Sequence, residues 1–173
     1  MLRFFSIFGV SLLVLFRIDM LESVQRTVIA PWSDWLAVLS FLCMTPFDPD
    51  VMHSGRLLYS PSTGFAVSIE AGCNGIEAAI VLIAGVLAFP ATWTQKAWGF
   101  AIGFGAIQVA NLLRIISLYY LGRWNMQWFE FAHLYLWQAL IMLDVLVVWL
   151  LWIRWVGRQA AQTRNPSAVA HAI

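Results

Sequence analysis

Apolar residues occur along the chain in long runs that are separated by short polar segments. The first run follows Arg3, and no small-residue cleavage site comes after it, so it predicts a retained helix over about residues 3–22. Three later runs predict strong helices at about 74–90, 97–119 and 131–155. A helix needs about 20 apolar residues to cross a bilayer. The pattern therefore predicts about four transmembrane helices.

The region between the first and second of these helices has a different pattern. Residues 31–44 begin with Pro31, which suits the first turn of a helix. This run is short for a span, so we predict a short extracytoplasmic helix in the membrane interface. Stretching it to 28–47 makes a poor span that contains Asp34, and the sequence leaves this alternative open. Residues 45–70, with two strand-like runs around SPSTG, predict a β-hairpin outside the bilayer.

The composition agrees with a membrane protein. Of 173 residues, 61% are hydrophobic and only 11% are charged, whereas about a quarter of the residues in soluble domains are charged. We predict an all-α integral membrane protein with a single domain, residues 1–173. A net charge of +1 gives no basic face for nucleic acid. Two cysteines are too few for a disulfide framework or a closed zinc site, and we expect no metal or cofactor.

The distribution of basic residues predicts the orientation. Basic residues near span ends favour the cytoplasmic side. The largest cluster follows the last helix and consists of Arg154, Arg158 and Arg164. We therefore place both termini in the cytoplasm, and the interfacial helix and the hairpin outside.

Three polar residues from three helices fall at one depth in this topology. Cys73 lies at the outer end of the second span, Arg114 near the outer end of the third, and His133 in the first turn of the fourth. A helix N-terminus and a nearby imidazolium both lower the pKa of a thiol, which predicts a thiolate nucleophile. Arg114 is suited to stabilising an oxyanion, and His133 to protonating a leaving amine. An arginine inside a span is costly, which marks it as a functional candidate.

Each residue also has a structural explanation. Cys73 fits packing, because free cysteines behave as small buried hydrophobes. Arg114 fits a partner of Glu77, and His133 a partner of Glu130. Three such explanations coinciding in one layer is a weaker account than a single site.

Other polar residues are predicted to support this site. Asn74 follows the cysteine directly, and Glu77 lies one turn further along. Asn111 is three residues before Arg114 and shares its helix face, so we predict that it orients the guanidinium. The glycines of GFAIGFG, residues 99–105, predict close helix packing.

Three motifs together resemble the exosortase/archaeosortase family. They are GCNGIEA, NLLRIISLYY and FEFAHLYLWQ, in this order on successive helices, preceded by GFAVSIEAGC. The likeness covers about residues 55–155, which is then the catalytic core. The short length, the GCNG form and the LAFPATW segment look most like the exosortase H subgroup. Compared with longer members of this family, we expect the chain to lack several N-terminal spans.

The resemblance implies a membrane cysteine transpeptidase with a Cys, Arg and His triad. Cys73 is then the nucleophile, Arg114 binds the oxyanion and His133 is the acid and base. The implied partners are the lipid bilayer and exported proteins with a C-terminal motif, a hydrophobic helix and a basic tail, which are cut outside a bacterial inner membrane and transferred to an acceptor.

Two other functions compete with this interpretation. A thiol redox protein would use Cys43 and Cys73, although such proteins normally carry a close pair such as C-x-x-C. A non-enzymatic membrane scaffold would use the polar layer for helix assembly. Replacing Cys73 separates these functions, because only the scaffold would tolerate it.

Overall fold

The chain is mostly helical in the computed structural model, which describes residues 2–164. In chain order the helical elements are α1 (Leu2–Asp19), α2 (Glu22–Val24), a π-helix (Gln25–Ile29), α3 (Ala30–Met44), α4 (Ile76–Ala88), α5 (Trp93–Trp124), α6 (Met126–Phe131), a second π-helix (Ala132–Leu136) and α7 (Trp137–Arg164). A small sheet lies between α3 and α4. This confirms the predicted all-α membrane fold with a minor β element.

Three helical stretches among the described residues are long and apolar enough to cross a membrane: Glu22–Met44, Trp93–Trp124 and Met126–Gln162. The last two contain the predicted helices at 97–119 and 131–155. Helix α4 is apolar but has only 13 residues, so it is about 20 Å long, against a hydrocarbon core of about 30 Å. It is therefore shorter than the predicted helix at 74–90.

The segment predicted to lie in the interface, residues 31–44, is part of the longer stretch Glu22–Met44. Pro31 has no amide hydrogen and interrupts the regular α-helical bonding. A π-helix directly precedes it, and the Ala30 N–H there bonds to the Gln25 carbonyl, five residues back. The helix thus continues through the proline instead of beginning at it. This stretch has the length of a span, which the prediction of a short interfacial helix did not anticipate.

The sheet contains three short antiparallel strands in the order β1-β2-β3. They are β1 (Met52–Ser54), β2 (Leu57–Tyr59) and β3 (Ala66–Ser68). Strands β2 and β3 form the predicted hairpin, with Leu57 opposite Ser68 and Tyr59 opposite Ala66. Strand β1 was not predicted, because three residues give no alternating pattern.

Two hydrophobic cores position these elements. One joins α3, the sheet and the C-terminal part of α5, and its buried members are Leu36, Ala37, Met44, Val51, Leu58, Ile69, Ile115 and Tyr119. The other joins α4, α5 and α7, and its buried members are Ala78, Leu82, Val86, Ile107, Ile141, Val145, Trp152 and Val156. Helix α5 contributes to both cores and therefore connects the sheet to the helical bundle.

Glycines on α5 allow its neighbours to approach closely. The indole of Trp152 packs directly on Gly99, and Leu82 and Val148 pack on Gly103. A Cβ at either glycine would overlap these side chains. The prediction that GFAIGFG serves helix packing is confirmed.

An ionic cluster ties the segment before the sheet to the end of α5. Arg123 forms ion pairs with Asp48 and Asp50. The hydroxyls of Ser60 and Ser62 donate hydrogen bonds to Asp50. These bonds hold the pKa of Asp50 below its ordinary value, and the bond from Ser60 has the largest effect.

Gly122 is the place where the sheet region packs most tightly on α5. A Cβ there would overlap the ring of Phe65, which is held between Tyr119 and Phe129 at ring-centroid distances of 6.0 and 6.1 Å. We expect Gly122→Ala to lower the free energy of unfolding by about 1–3 kcal/mol, the usual cost of overpacking. Gly105→Ala is the matched control, because a Cβ there meets no described atom within 4 Å. Thermal unfolding in detergent measures both, and equal melting temperatures would contradict this packing.

Candidate active site

The GCNG segment forms a tight loop between β3 and α4. The Cys73 N–H donates to the Glu70 carbonyl at 2.9 Å and closes a turn. Gly72 and Gly75 have φ values of 85° and 77°, in the left-handed region that favours glycine. The two glycines therefore allow the chain to turn on both sides of the cysteine.

Asn74 and Glu77, two predicted supporting residues, hold this loop in place. Asn74 is fully buried, and its Nδ2 donates to the Ser33 hydroxyl at 3.3 Å while its Oδ1 accepts from the Ile76 N–H at 3.1 Å. Glu77 accepts a hydrogen bond from the Gly72 N–H at 2.6 Å. Asn74 thus ties the loop to α3 and to the start of α4, and Glu77 holds the loop backbone. Among the described residues Glu77 forms no ion pair with an arginine.

Helix α3 contributes contacts to the loop that the sequence did not reveal. The indole Nε1 of Trp32 donates to the Asn74 carbonyl at 3.2 Å, next to the Ser33 contact. No local pattern signals this contact, because its partners are 42 residues apart.

Arg114 contacts the cysteine loop directly. Its side chain is buried, with 4% exposure. Its Nη2 donates to the Cys73 Sγ at 3.6 Å, and its Nη1 to the Gly72 carbonyl at 3.4 Å. The predicted meeting of Cys73 and Arg114 is therefore present in the fold.

His133 lies in the second π-helix, Ala132–Leu136. Its ring stacks on that of Phe129 at 5.6 Å with an interplanar angle of 4°. Its Nδ1 is buried and has no hydrogen-bond partner among the described residues. In the same part of the chain His133 forms no ion pair with Glu130, its predicted alternative partner. Unlike Arg114, the imidazole makes no hydrogen bond to the cysteine loop in the described part of the chain. Single π turns inside helices are frequent at functional sites.

Asn111 does not have its predicted role. It is fully buried, but neither atom of its amide forms a hydrogen bond in the described part of the chain. Arg114 is held by the cysteine loop instead. Gln108, one helical turn before Asn111, packs its amide against Gly75, a contact that the sequence analysis missed.

The Cys73 thiol has a pKa above its ordinary value. Burial is the main cause of this increase. The Arg114 guanidinium lowers the pKa, and the carboxylates of Glu77 and Glu70 raise it further. The predicted low-pKa thiolate is therefore wrong for this resting site. Cys73 lies in the loop before α4, which begins at Ile76, and the dipole effect falls off beyond the first turn of a helix. The thiol thus keeps its proton near neutral pH and needs a base.

This pKa direction predicts how Cys73 reacts with alkylating reagents. Only the thiolate reacts, so labelling should rise with pH, with a midpoint above that of an ordinary cysteine. Glu77→Gln keeps an acceptor for Gly72 and removes a negative charge, so it should move the midpoint to lower pH. Labelling rates in a Cys43→Ala background measure this. The same midpoint with and without the Glu77 charge would refute the electrostatic account.

Neither cysteine forms a disulfide. Cys73 is half-buried and free, and Cys43 is exposed and free. A redox role needs the two thiols to react with each other, and nothing in the described structure joins them.

The fold and the site define a multi-pass membrane protein in which a buried arginine contacts a thiol in the loop before a helix. The model of the transmembrane exosortase family, Exosortase_EpsH, matches residues 2–143, and the chain belongs to this family. No curated protein and no solved structure matches the chain. Membership confirms the family resemblance and supports a general role as a membrane transpeptidase or protease. The finer likeness to the exosortase H subgroup stays a prediction.

Proposed function

We propose that the protein is a membrane cysteine transpeptidase whose catalytic residues are Cys73, Arg114 and His133. The observation that carries this proposal is the 3.6 Å contact between Cys73 Sγ and Arg114 Nη2 at a buried position. A thiol and a guanidinium at this distance place a nucleophile beside a donor that can stabilise the oxyanion of acyl transfer.

The first half of the reaction forms an acyl-enzyme. His133 takes the proton of the Cys73 thiol as the sulfur attacks the carbonyl carbon of the scissile peptide bond. The resulting oxyanion lies against Arg114, which stabilises it by charge-assisted hydrogen bonds. The C–N bond then breaks, the imidazolium gives its proton to the leaving amine, and a thioester remains on Cys73.

The second half transfers the acyl group. An acceptor nucleophile attacks the thioester carbon, and His133 takes the proton that the acceptor loses. The C–S bond breaks, and His133 gives that proton to the sulfur, which regenerates the Cys73 thiol and the neutral imidazole. The elevated pKa of the resting thiol suits this cycle, since the cysteine stays protonated until His133 accepts its proton.

The substrates that we propose are exported proteins with a C-terminal motif, a hydrophobic helix and a basic tail. A helix of this kind anchors the substrate in the same bilayer, which raises the effective concentration of the scissile bond at the site. The positive-inside arrangement of the C-terminal arginines favours cleavage on the outer face of the cell inner membrane.

Co-expression with a tagged reporter tests this substrate class. A reporter with the full sorting signal should be shortened, and the same reporter without its hydrophobic helix should stay uncleaved. Reporter size on a gel measures both. Equal processing of the two reporters would refute the role of the helix.

A further inference from the structure

Strand β3 is an open edge of the small sheet. Helix α3 packs against β1 and β2. Among the described residues β3 pairs with β2 alone. An open edge presents unpaired main-chain groups that another extended chain can bind.

The register shows which groups face this edge. The Ser60 N–H donates to the Phe65 carbonyl at 2.9 Å, and the Ile69 N–H to the Arg56 carbonyl at 3.0 Å. In an antiparallel pair the bonded residues alternate, so Ala66 and Ser68 direct their N–H and C=O groups away from β2. In the described part of the chain these two amides donate no hydrogen bond.

The edge leads directly to the candidate nucleophile. Ser68 is five residues before Cys73 in the chain. The turn closed by the Cys73 N–H and the Glu70 carbonyl brings the cysteine to within about 7 Å of Glu70, measured between Cα atoms. An extended chain that lies along β3 therefore runs toward the cysteine loop.

We propose that β3 binds the segment of the substrate that contains the scissile bond, as an added strand paired to Ala66 and Ser68. This rests on the proposed function, since that substrate must present an extended backbone to Cys73. Main-chain pairing of this type fixes the register of a peptide, while its side chains supply specificity. Up to four hydrogen bonds, two from each of the outward-facing residues, place the carbonyl at the site.

A backbone scan tests the proposal on the full protein with the Cys73→Ala substitution, where no chemistry occurs. Synthetic sorting-signal peptides carry one N-methyl group each, at successive positions before the scissile bond. Only alternate amides of a strand face its neighbour, so affinity should fall at least about fivefold at every second position. Equal affinities along the series, or a loss without alternation, would overturn the proposal. Failure of the wild-type protein to cleave the unmodified peptide would instead refute the proposed function. The binding scan tests pairing with β3 independently of that result.

A pair of variants at one position provides a second test. Ser68→Pro removes an outward N–H that β2 does not use, and edge strands tolerate such a proline. Ser68→Ala keeps that N–H but loses the hydroxyl that bonds to Glu70 at 2.7 Å. We expect the KM of Ser68→Pro to be at least about fivefold higher than that of Ser68→Ala, with the same kcat, because the two variants differ in the outward N–H. Equal KM for the two variants at matched melting temperatures would contradict strand pairing.

Discussion

Replacing Cys73 by alanine is expected to abolish processing of the sorting-signal reporter, with a loss of about 10³-fold or more. Without the thiol no thioester forms, and Arg114 and His133 have no nucleophile to assist. Reporter size after co-expression measures the effect, and membrane insertion of the variant is checked by its yield and melting temperature in detergent.

Cys43→Ala is the matched control for this substitution. Cys43 is the other cysteine of the chain and is exposed, so its removal should leave processing intact. Processing that persists in Cys73→Ala would make the cysteine structural and favour the scaffold interpretation. Loss of processing in both variants would favour the redox interpretation.

Replacing Arg114 by glutamine should lower kcat by about 10²–10³-fold, the typical cost of losing one oxyanion donor. The substitution also removes the charge that opposes the high pKa of Cys73, so the labelling midpoint of the cysteine should move to higher pH. Arg114→Lys keeps the charge but loses the planar pair of donors. It should keep the labelling midpoint near that of the wild type and still lose most of kcat.

Arg123→Lys is the comparison for Arg114, because it changes another arginine of α5. Arg123 pairs with Asp48 and not with the cysteine loop, so this variant should keep kcat within a few fold. A large loss of kcat in Arg123→Lys, or full activity in Arg114→Gln, would contradict the assignment.

The meeting of Cys73 and Arg114 was predictable from the sequence because it depends only on helix order. Consecutive helices run in opposite directions, so a residue at the start of one and a residue near the end of the next reach one depth. The same argument puts His133 in this layer.

The details of the site depend on packing between distant segments and were not predictable. The high pKa of Cys73 follows chiefly from its burial, and α3 lies against the same loop through Trp32. The partner of Glu77 is a backbone N–H, and a sequence does not show where an amide points. The π-helix around His133 is likewise absent from any apolar pattern.

The positions of the helices were predictable from the sequence, but their ends were not. The apolar runs predicted the helices near 97–119 and 131–155, but α5 extends to Trp124 and only Asn125 separates it from α6. Asn125 caps α6 by accepting from the N–H groups of Gln127 and Trp128. This side-chain cap lets one helix end and the next begin without a loop, which hydropathy does not reveal.

Detection of an acyl-enzyme tests the central claim most directly. Purified protein in lipid is mixed with a sorting-signal peptide, quenched in acid and analysed by mass spectrometry after digestion. The account predicts the N-terminal part of the peptide bound to Cys73 as a thioester that hydroxylamine releases. Cleavage without a thioester on Cys73 at any time during turnover, or an adduct on another residue, would contradict it.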